Sequence, residues 1–246
     1  MKILVCITKT PETTAKIAFT DGDTQLDTNG IQYIMNPYDE WYALVRALEL
    51  KEQHGGTVTA INVGPADNDV VIRKALAIGA DDAVRIDTEA MGADQVAANI
   101  AGHAKDKGYD VIFTGKESID YNGSEVGAMV AEHLGLPFIS YASHMDHNGQ
   151  SATVSRDIEG GVEVVDVSGP MVISAAKGLA EQRIPNMRGI MMAKRKPLAV
   201  EAPTATESKV KVVSYEMPPA KQGVKMIDPE NMDELVRLLK EEAKVI

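Results

Sequence analysis

Residues 57–87 read TVTAINVGPADNDVVIRKALAIGADDAVRID, and the period of their apolar side chains changes twice. Residues 57–63 are a run of branched and apolar side chains, the pattern of a buried strand. Residues 68–78 space their apolar side chains as a helix does, and 82–87 return to an extended run. Glycine and polar residues punctuate both changes. A strand, a helix and a second strand in that order call for a right-handed crossover between parallel strands.

The same rhythm extends outward from this stretch. Residues 2–8 and 110–115 read as further strands. Trp41, Leu44, Val45 and Leu48 fall at i, i+3, i+4 and i+7, and so do Ala97, Ile100, Ala101 and Ala104. A helix over 123–134 carries Val126, Met129, Val130 and Leu134 on one side. These alternations predict an α/β fold, a doubly wound and mostly parallel sheet in a Rossmann-type three-layer arrangement. Three regions depart from the rhythm. Residues 16–33 hold Asp21-Gly22-Asp23 and Asn29-Gly30, turn signals for a small antiparallel excursion. Residues 144–157 and 162–168 alternate as antiparallel strands around turns at Asp146-His147-Asn148-Gly149 and Glu159-Gly160-Gly161, and 170–175 read as a buried strand. Beyond Pro197 the chain holds Pro203, Pro218 and Pro219 with little apolar periodicity, which predicts an extended arm with one short strand at 210–213. The arm closes in a helix with Asp228 as N-cap, Pro229 at its first position, and Met232, Leu235, Val236 and Leu239 on one stripe. The expected organisation is a nucleotide-binding α/β domain over 1–182, a docking segment over 183–197 and an arm over 198–246.

Composition excludes several classes of function. With 246 residues the chain can bury a full core as one large domain, or one domain and an appendage. A net charge of −11 argues against a nucleic-acid polymer as partner, and 4% aromatics leave few platforms for base stacking. Cys6 is the only cysteine, so intrachain disulfides, thiolate zinc clusters and protein-held iron–sulfur centres are excluded. Its place in Ile3-Leu4-Val5-Cys6-Ile7 reads as a small buried residue. No apolar run approaches the ~20 residues of a membrane span. The chain begins at once on a strand, with no secretory signal expected, and a cytoplasmic, bacterial protein is the expectation.

One segment stands against the acidic background. Residues 183–197, RIPNMRGIMMAKRKP, hold five cations (Arg183, Arg188, Lys194, Arg195, Lys196), three methionines and no acid. Methionine's flexible thioether repacks against more than one partner, and the cations steer acidic ones, so the segment reads as a docking device.

Ligands of a doubly wound sheet bind beyond the carboxyl ends of its strands, where strand order reverses. With the first and fourth strands as neighbours, that crevice lies between residues 6–9 and 115–123. Amide groups at Asn122, Gly123, Ser124 and Glu125 would face outward from a helix N-terminus, suited to a phosphate; an ordinary capped helix start is the competing reading. No GxGxxG follows the first strand and no Walker loop occurs anywhere. Asn36-Pro37-Tyr38-Asp39 could reach the same crevice, with Asn36 on an adenine or ribose edge, although Asn-Pro is also a common helix entry. His144-x-x-His147 lacks carboxylate neighbours beyond Asp146, a poor metal site. Ser118 and Ser124 have no histidine nearby in sequence, and nothing resembles an assembled nucleophile and base. The expectation is a protein that is not an enzyme.

Residues 154–165, VSRDIEGGVEVV, followed by Pro170-Met171-Val172-Ile173-Ser174, resemble the signature of electron transfer flavoprotein beta subunits. The resemblance covers nearly the whole chain. It includes residues 1–8, Met35-Asn36-Pro37-Tyr38, Val63-Gly64-Pro65, residues 73–81 (RKALAIGAD), Gly115-Lys116 with Ile119-Asp120, and Met191 with Ala193-Lys194. It implies the adenine-nucleotide alpha-hydrolase-like form of the fold and a heterodimer with an alpha subunit that holds most of the FAD. This chain would bind AMP at Cys6, Asn36, Pro37, Tyr38, Asp39 and Val63, and along Asp120-Tyr121-Asn122-Gly123-Ser124-Glu125-Val126-Gly127-Ala128-Met129-Val130-Ala131. The basic methionine segment would be the partner recognition loop, docking through Arg183, Met187, Arg188, Met191 and Lys194, with Met187 where the family usually has leucine. Its arm and final helix would wrap the alpha subunit. Electrons would pass from dehydrogenases, such as the acyl-CoA dehydrogenases of fatty acid beta-oxidation, through the flavin to a quinone oxidoreductase. Lys9-Thr10-Pro11-Glu12 departs from the family's usual entry after the first strand. Tyr121-Asn122-Gly123 differs both from ordinary AMP loops and from the Gly-Asp-Thr loops of electron-bifurcating relatives, where a second FAD replaces AMP. Lacking Gly-Asp-Thr, the chain looks more like the AMP kind. The alternatives are the bifurcating type and a stand-alone AMP- or ATP-binding stress-type protein.

Overall fold

Alternating side chains decide which way each strand faces. In β1 (Lys2–Cys6), Ile3 and Val5 join one apolar cluster while Leu4 and Cys6 join a second one across the sheet. The computed structural model describes residues 1–89, 92–221 and 223–246 of the chain. After β1 come four short strands, β2 (Lys9–Pro11), β3 (Phe19–Thr20), β4 (Gln25–Leu26) and β5 (Tyr33–Met35). These make the expected antiparallel excursion as two pairs, β2 with β5 and β3 with β4. Then follow α1 (Asp39–His54), β6 (Thr57–Val63), α2 (Asp69–Ile78), β7 (Asp82–Ile86), α3 (Ala93–Ala104), β8 (Val111–Gly115) and α4 (Val126–Leu134). The second half holds β9 (Phe138–His147), β10 (Ser151–Ile158), β11 (Gly161–Ser168), β12 (Met171–Ala175), α5 (Met187–Ala193), β13 (Leu198–Glu201) and α6 (Met232–Arg237).

Nine strands form one sheet in the order β11-β10-β9-β12-β8-β1-β6-β7-β13. From β9 to β13 every neighbouring pair runs parallel, and β10 and β11 add an antiparallel edge. Helices α1 and α2 cover one face through Leu44, Leu48, Ile72 and Leu76, packed on Ile3, Val5, Val58 and Phe113. Helices α3 and α4 cover the other through Ala97, Ile100, Val130 and Ala131, packed on Leu4, Ile61, Val84 and Ile112. The chain is thus α/β with three layers, as its periodicity requires.

Four local expectations are corrected. Residues 210–213 form no strand; β13 forms earlier, at Leu198–Glu201, where it pairs in parallel with Ala83–Ile86 on the open edge of β7. Extended residues become a strand only when a partner takes their backbone groups. Asp228 caps a turn by accepting from Glu230 N at 3.0 Å. The last helix starts after Asn231, whose Oδ1 accepts from Glu234 N at 3.2 Å, and widens into a π turn over Leu238–Glu242. Helix α4 begins at Val126 rather than at 123, because Asn122 and Ser124 take left-handed backbone at φ 51° and 54°. Finally, the 183–197 segment, expected as a loop, is partly helical: α5 is capped by Asn186, whose Oδ1 accepts from Gly189 N at 2.8 Å. Gly189 lets α5 lie on the end of α2, since a Cβ there would stand 2.5 Å from Ala77 O.

Candidate functional site

The sheet order reverses at β1. The chain goes from β1 outward to β6 and β7, then returns to place β8 on the other side. The loops after β1 and β8 therefore leave the sheet in opposite directions and open a crevice between them. Its floor is held by backbone and amide contacts. Ile7 N donates to Ile61 O at 2.9 Å, and Asn62 Nδ2 donates to Ile7 O at 2.8 Å. Cys6 is buried there, and burial, then the nearby Glu40, push its thiol far up; it is neutral and no nucleophile.

Asn36 does not wait for a ligand. Its Nδ2 donates to Glu117 O at 2.9 Å, its Oδ1 accepts from Ile119 N at 3.0 Å, and its own N–H donates to Thr8 O at 2.9 Å. The side chain fastens the loop after β8 to the segment before α1, both amide ends being engaged on backbone. Pro37 leads into Tyr38, which has left-handed backbone at φ 64° and an exposed ring at the head of α1. In the first turn of α1, Glu40 is enclosed and its Oε2 accepts from Thr8 N at 2.6 Å. Burial pushes its carboxyl up to about 8, with hydrogen bonding from Thr8 pulling the other way. Burial likewise pushes Asp39 up to about 6, opposed by the charge of Lys116. Two acids at this floor thus carry less negative charge near pH 7 than their side chains suggest.

The loop after β8 forms the other wall. Tyr121 N donates to Asp120 Oδ1 at 2.9 Å and Asn122 N to Ser118 O at 2.9 Å, folding Asp120–Asn122 into a tight turn. Gly123, Ser124 and Glu125 then lead into α4, whose first backbone N–H groups lack intrahelical acceptors. Thr114 Oγ1, at the end of β8, is buried and has no hydrogen-bond partner among the described residues. It lies against Gly127, where a Cβ would stand 2.8 Å from that hydroxyl and 2.9 Å from the Phe138 ring. An anionic oxygen suits this corner, with amides, an unused hydroxyl and Lys116 around it.

The structure brings Cys6, Asn36–Asp39, Asp120–Glu125 and the first turn of α4 to one crevice, with Val63 at its side on β6. Val126 and Met129 are partly buried, Ala128 is exposed, and Val130 and Ala131 point into the core and hold the helix rather than face the opening. Glu40, Thr114, Lys116 and Tyr141 stand at the same crevice, although no motif marked them as ligand contacts. Tyr33, Tyr121 and Tyr141 gather along the loop after β8, beside Asp120, Ser124 and Lys116, a clustering that spacing along the sequence does not reveal.

The residues of the 183–197 segment divide in two. Arg183 is held by Glu52, its Nη1 and Nη2 donating at 2.6 and 3.0 Å, and its carbonyl accepts from Trp41 Nε1. Lys196 Nζ donates to Leu76 O and Ala80 O, and Arg73 Nη1 holds Ala193 O and Lys196 O. Those cations anchor the segment. Met187, at 74% exposed, and Met191, at 67%, stand in solvent beside exposed Arg188 and Lys194. A groove of about 420 Å³ runs between Gly79, Ile184, Arg188 and Met192. Among the described residues no group of three His, Cys, Asp or Glu could hold a metal, and no helix is long and apolar enough to cross a membrane.

A sequence profile described as the electron transfer flavoprotein domain matches residues 23–206. The chain is similar to electron transfer flavoprotein subunit beta of Bacillus subtilis, with 37% identity over the whole of both chains. The protein of the same name from Syntrophomonas wolfei is 40% identical over 93% of this chain and 90% of its own. The one from Homo sapiens is 33% identical over 100% and 99%.

Proposed function

Because the chain belongs to the electron transfer flavoprotein family, among its beta subunits, we propose that it is the non-catalytic half of a heterodimeric electron carrier. Its alpha subunit holds most of the FAD, which supplies the redox chemistry when bound. This chain binds AMP in the crevice and docks electron donors, such as acyl-CoA dehydrogenases, on α5, and electrons leave toward a quinone oxidoreductase.

The observation that carries this reading lies in the arm. Val210, Val213, Met217, Val224 and Met226 are exposed by 55, 74, 53, 82 and 85%, and α6 leaves Met232 and Val236 half in water. Apolar side chains strung along so much backbone need a second surface to cover them. A beta subunit of this family would meet that need with its alpha subunit.

The crevice residues fit AMP. The buried Thr114 hydroxyl lacks a partner, and Gly127 lets α4 close on that hydroxyl and the Phe138 ring, both beside the amide end of α4. Asp120–Glu125 would hold the phosphate, with Cys6, Tyr38 and Val63 around the base and sugar. Glu40, raised to about 8, is mainly protonated at pH 7, so its burial adds little repulsion to a phosphate. AMP then serves as a structural ligand that joins the two walls.

Redox encounters are brief, and a small adaptable contact suits them. Exposed Met187 and Met191 supply the apolar contact, and Arg188 and Lys194 the steering charge. The test is co-purification with the alpha subunit, acid extraction and identification of the released nucleotides. One FAD and one AMP per dimer are expected. Two FAD would replace this reading with the bifurcating type, and a stable chain that takes up no alpha subunit would remove it.

A further inference from the structure

The crevice wall that faces Lys116 carries a residue outside the assigned set. Tyr141 sits in β9 where its register with β12 breaks: Ile173 pairs with Ile139, but Ala175 pairs with Ala142. The extra residue forces Tyr141 into left-handed backbone at φ 58°, an uncommon conformation for a bulky side chain. Tyr141 N is held there by donating to Ser174 Oγ at 2.9 Å. Bulges of this kind re-aim a side chain. Here the phenol is directed toward the head of α4: its OH lies 3.4 Å from Ser124 Oγ, and Lys116 Nζ stands 5.8 Å from its ring centroid. The ring remains 42% exposed.

Three separate parts of the chain therefore converge on one corner. Lys116 comes from the loop after β8, Ser124 from the turn before α4 and Tyr141 from β9. The unpartnered Thr114 hydroxyl lies against Gly127 at the same helix end. Strained backbone persists where the surrounding structure imposes it, and such sites cluster at ligand clamps.

We propose that Tyr141 is a phosphate-positioning residue of the crevice, its phenol hydroxyl donating to a phosphate oxygen of the bound nucleotide while Lys116 supplies the opposing charge. The inference rests on the AMP reading above and adds what selects a nucleoside phosphate over a bare nucleoside. The long contact to Ser124 leaves the hydroxyl free to turn to a better acceptor, and the charge on a phosphate strengthens that bond.

The full chain, co-purified with its alpha subunit and stripped of nucleotide, is titrated calorimetrically with AMP and with adenosine. Tyr141→Phe keeps the ring and removes only the hydroxyl. It should weaken AMP about three- to tenfold and leave adenosine unchanged. Lys116→Gln should give the same split by removing the charge, and it carries the contrast if the tyrosine variant folds poorly. An unchanged AMP affinity in Tyr141→Phe, or equal losses for AMP and adenosine, overturns the assignment while the crevice remains a nucleotide site. Binding of neither ligand by the unaltered protein overturns the nucleotide reading and this one with it.

Discussion

The sheet and the arm treat apolar residues in opposite ways. Within the sheet, Ile3, Leu4, Phe113, Ile112 and Ile173 are enclosed almost completely. Beyond Glu201, among the described residues, Leu238 alone joins the buried apolar set, while Val210, Val213, Met217, Val224 and Met226 stay in water. The arm is tethered mainly by polar contacts, Thr204 N to Asn99 Oδ1, Lys209 N to Asp94 Oδ2 and Tyr215 N to Asp23 O, with one ring, Tyr215, stacked on Phe19 at 4.9 Å. One chain thus contains a part that buries its own apolar surface and a part that must find someone else's.

The largest test of that contrast lies in the sheet. Phe113→Ala should destabilise the protein by about 3–5 kcal/mol, because the ring is wholly enclosed and its cavity cannot collapse onto a rigid sheet. Chemical unfolding measures this; a loss near that of a surface substitution would show that the sheet is not the stability-bearing part. Next comes Glu40. Its carboxyl is raised from an ordinary 4.5 to about 8 by burial. The folded state therefore holds a proton that the unfolded chain releases, so the stabilisation is complete below about 4.5 and fades as pH rises through about 8. Glu40→Gln should flatten the fall in melting temperature between pH 5 and 9, and an unchanged slope would place the proton elsewhere. The smallest effect on folding belongs to truncation after Glu201. It should move the melting temperature of the isolated chain by less than about 4 °C, the shift of ~1 kcal/mol for a domain of this size, yet abolish capture of the alpha subunit. A large loss of stability would mean that the arm is part of the core after all.

The strands and helices of the sheet were readable from the sequence because their signal is local. Leu44 and Leu48 mark a helix face through four residues, and Ile3, Leu4 and Val5 mark a strand through three. The choice between 198–201 and 210–213 was not local. Both stretches are extended and rich in apolar side chains, and the open edge of β7 takes the nearer one. The crevice was half readable. Its loops follow from strand order, but the partners of Asn36 lie 81 and 83 positions away, and its amide serves the protein's own backbone. Tyr141 was invisible for the same reason: a single-residue bulge in a strand leaves no periodic trace.

The Asn36 amide closes its bonds during folding, before any ligand arrives. The walls on either side of it are set in advance, so association does not have to freeze them. Nucleotide entry should accordingly follow a single exponential whose rate rises linearly with concentration. Asn36→Ala would turn that into a two-step approach, with a slow phase that no longer depends on how much nucleotide is present.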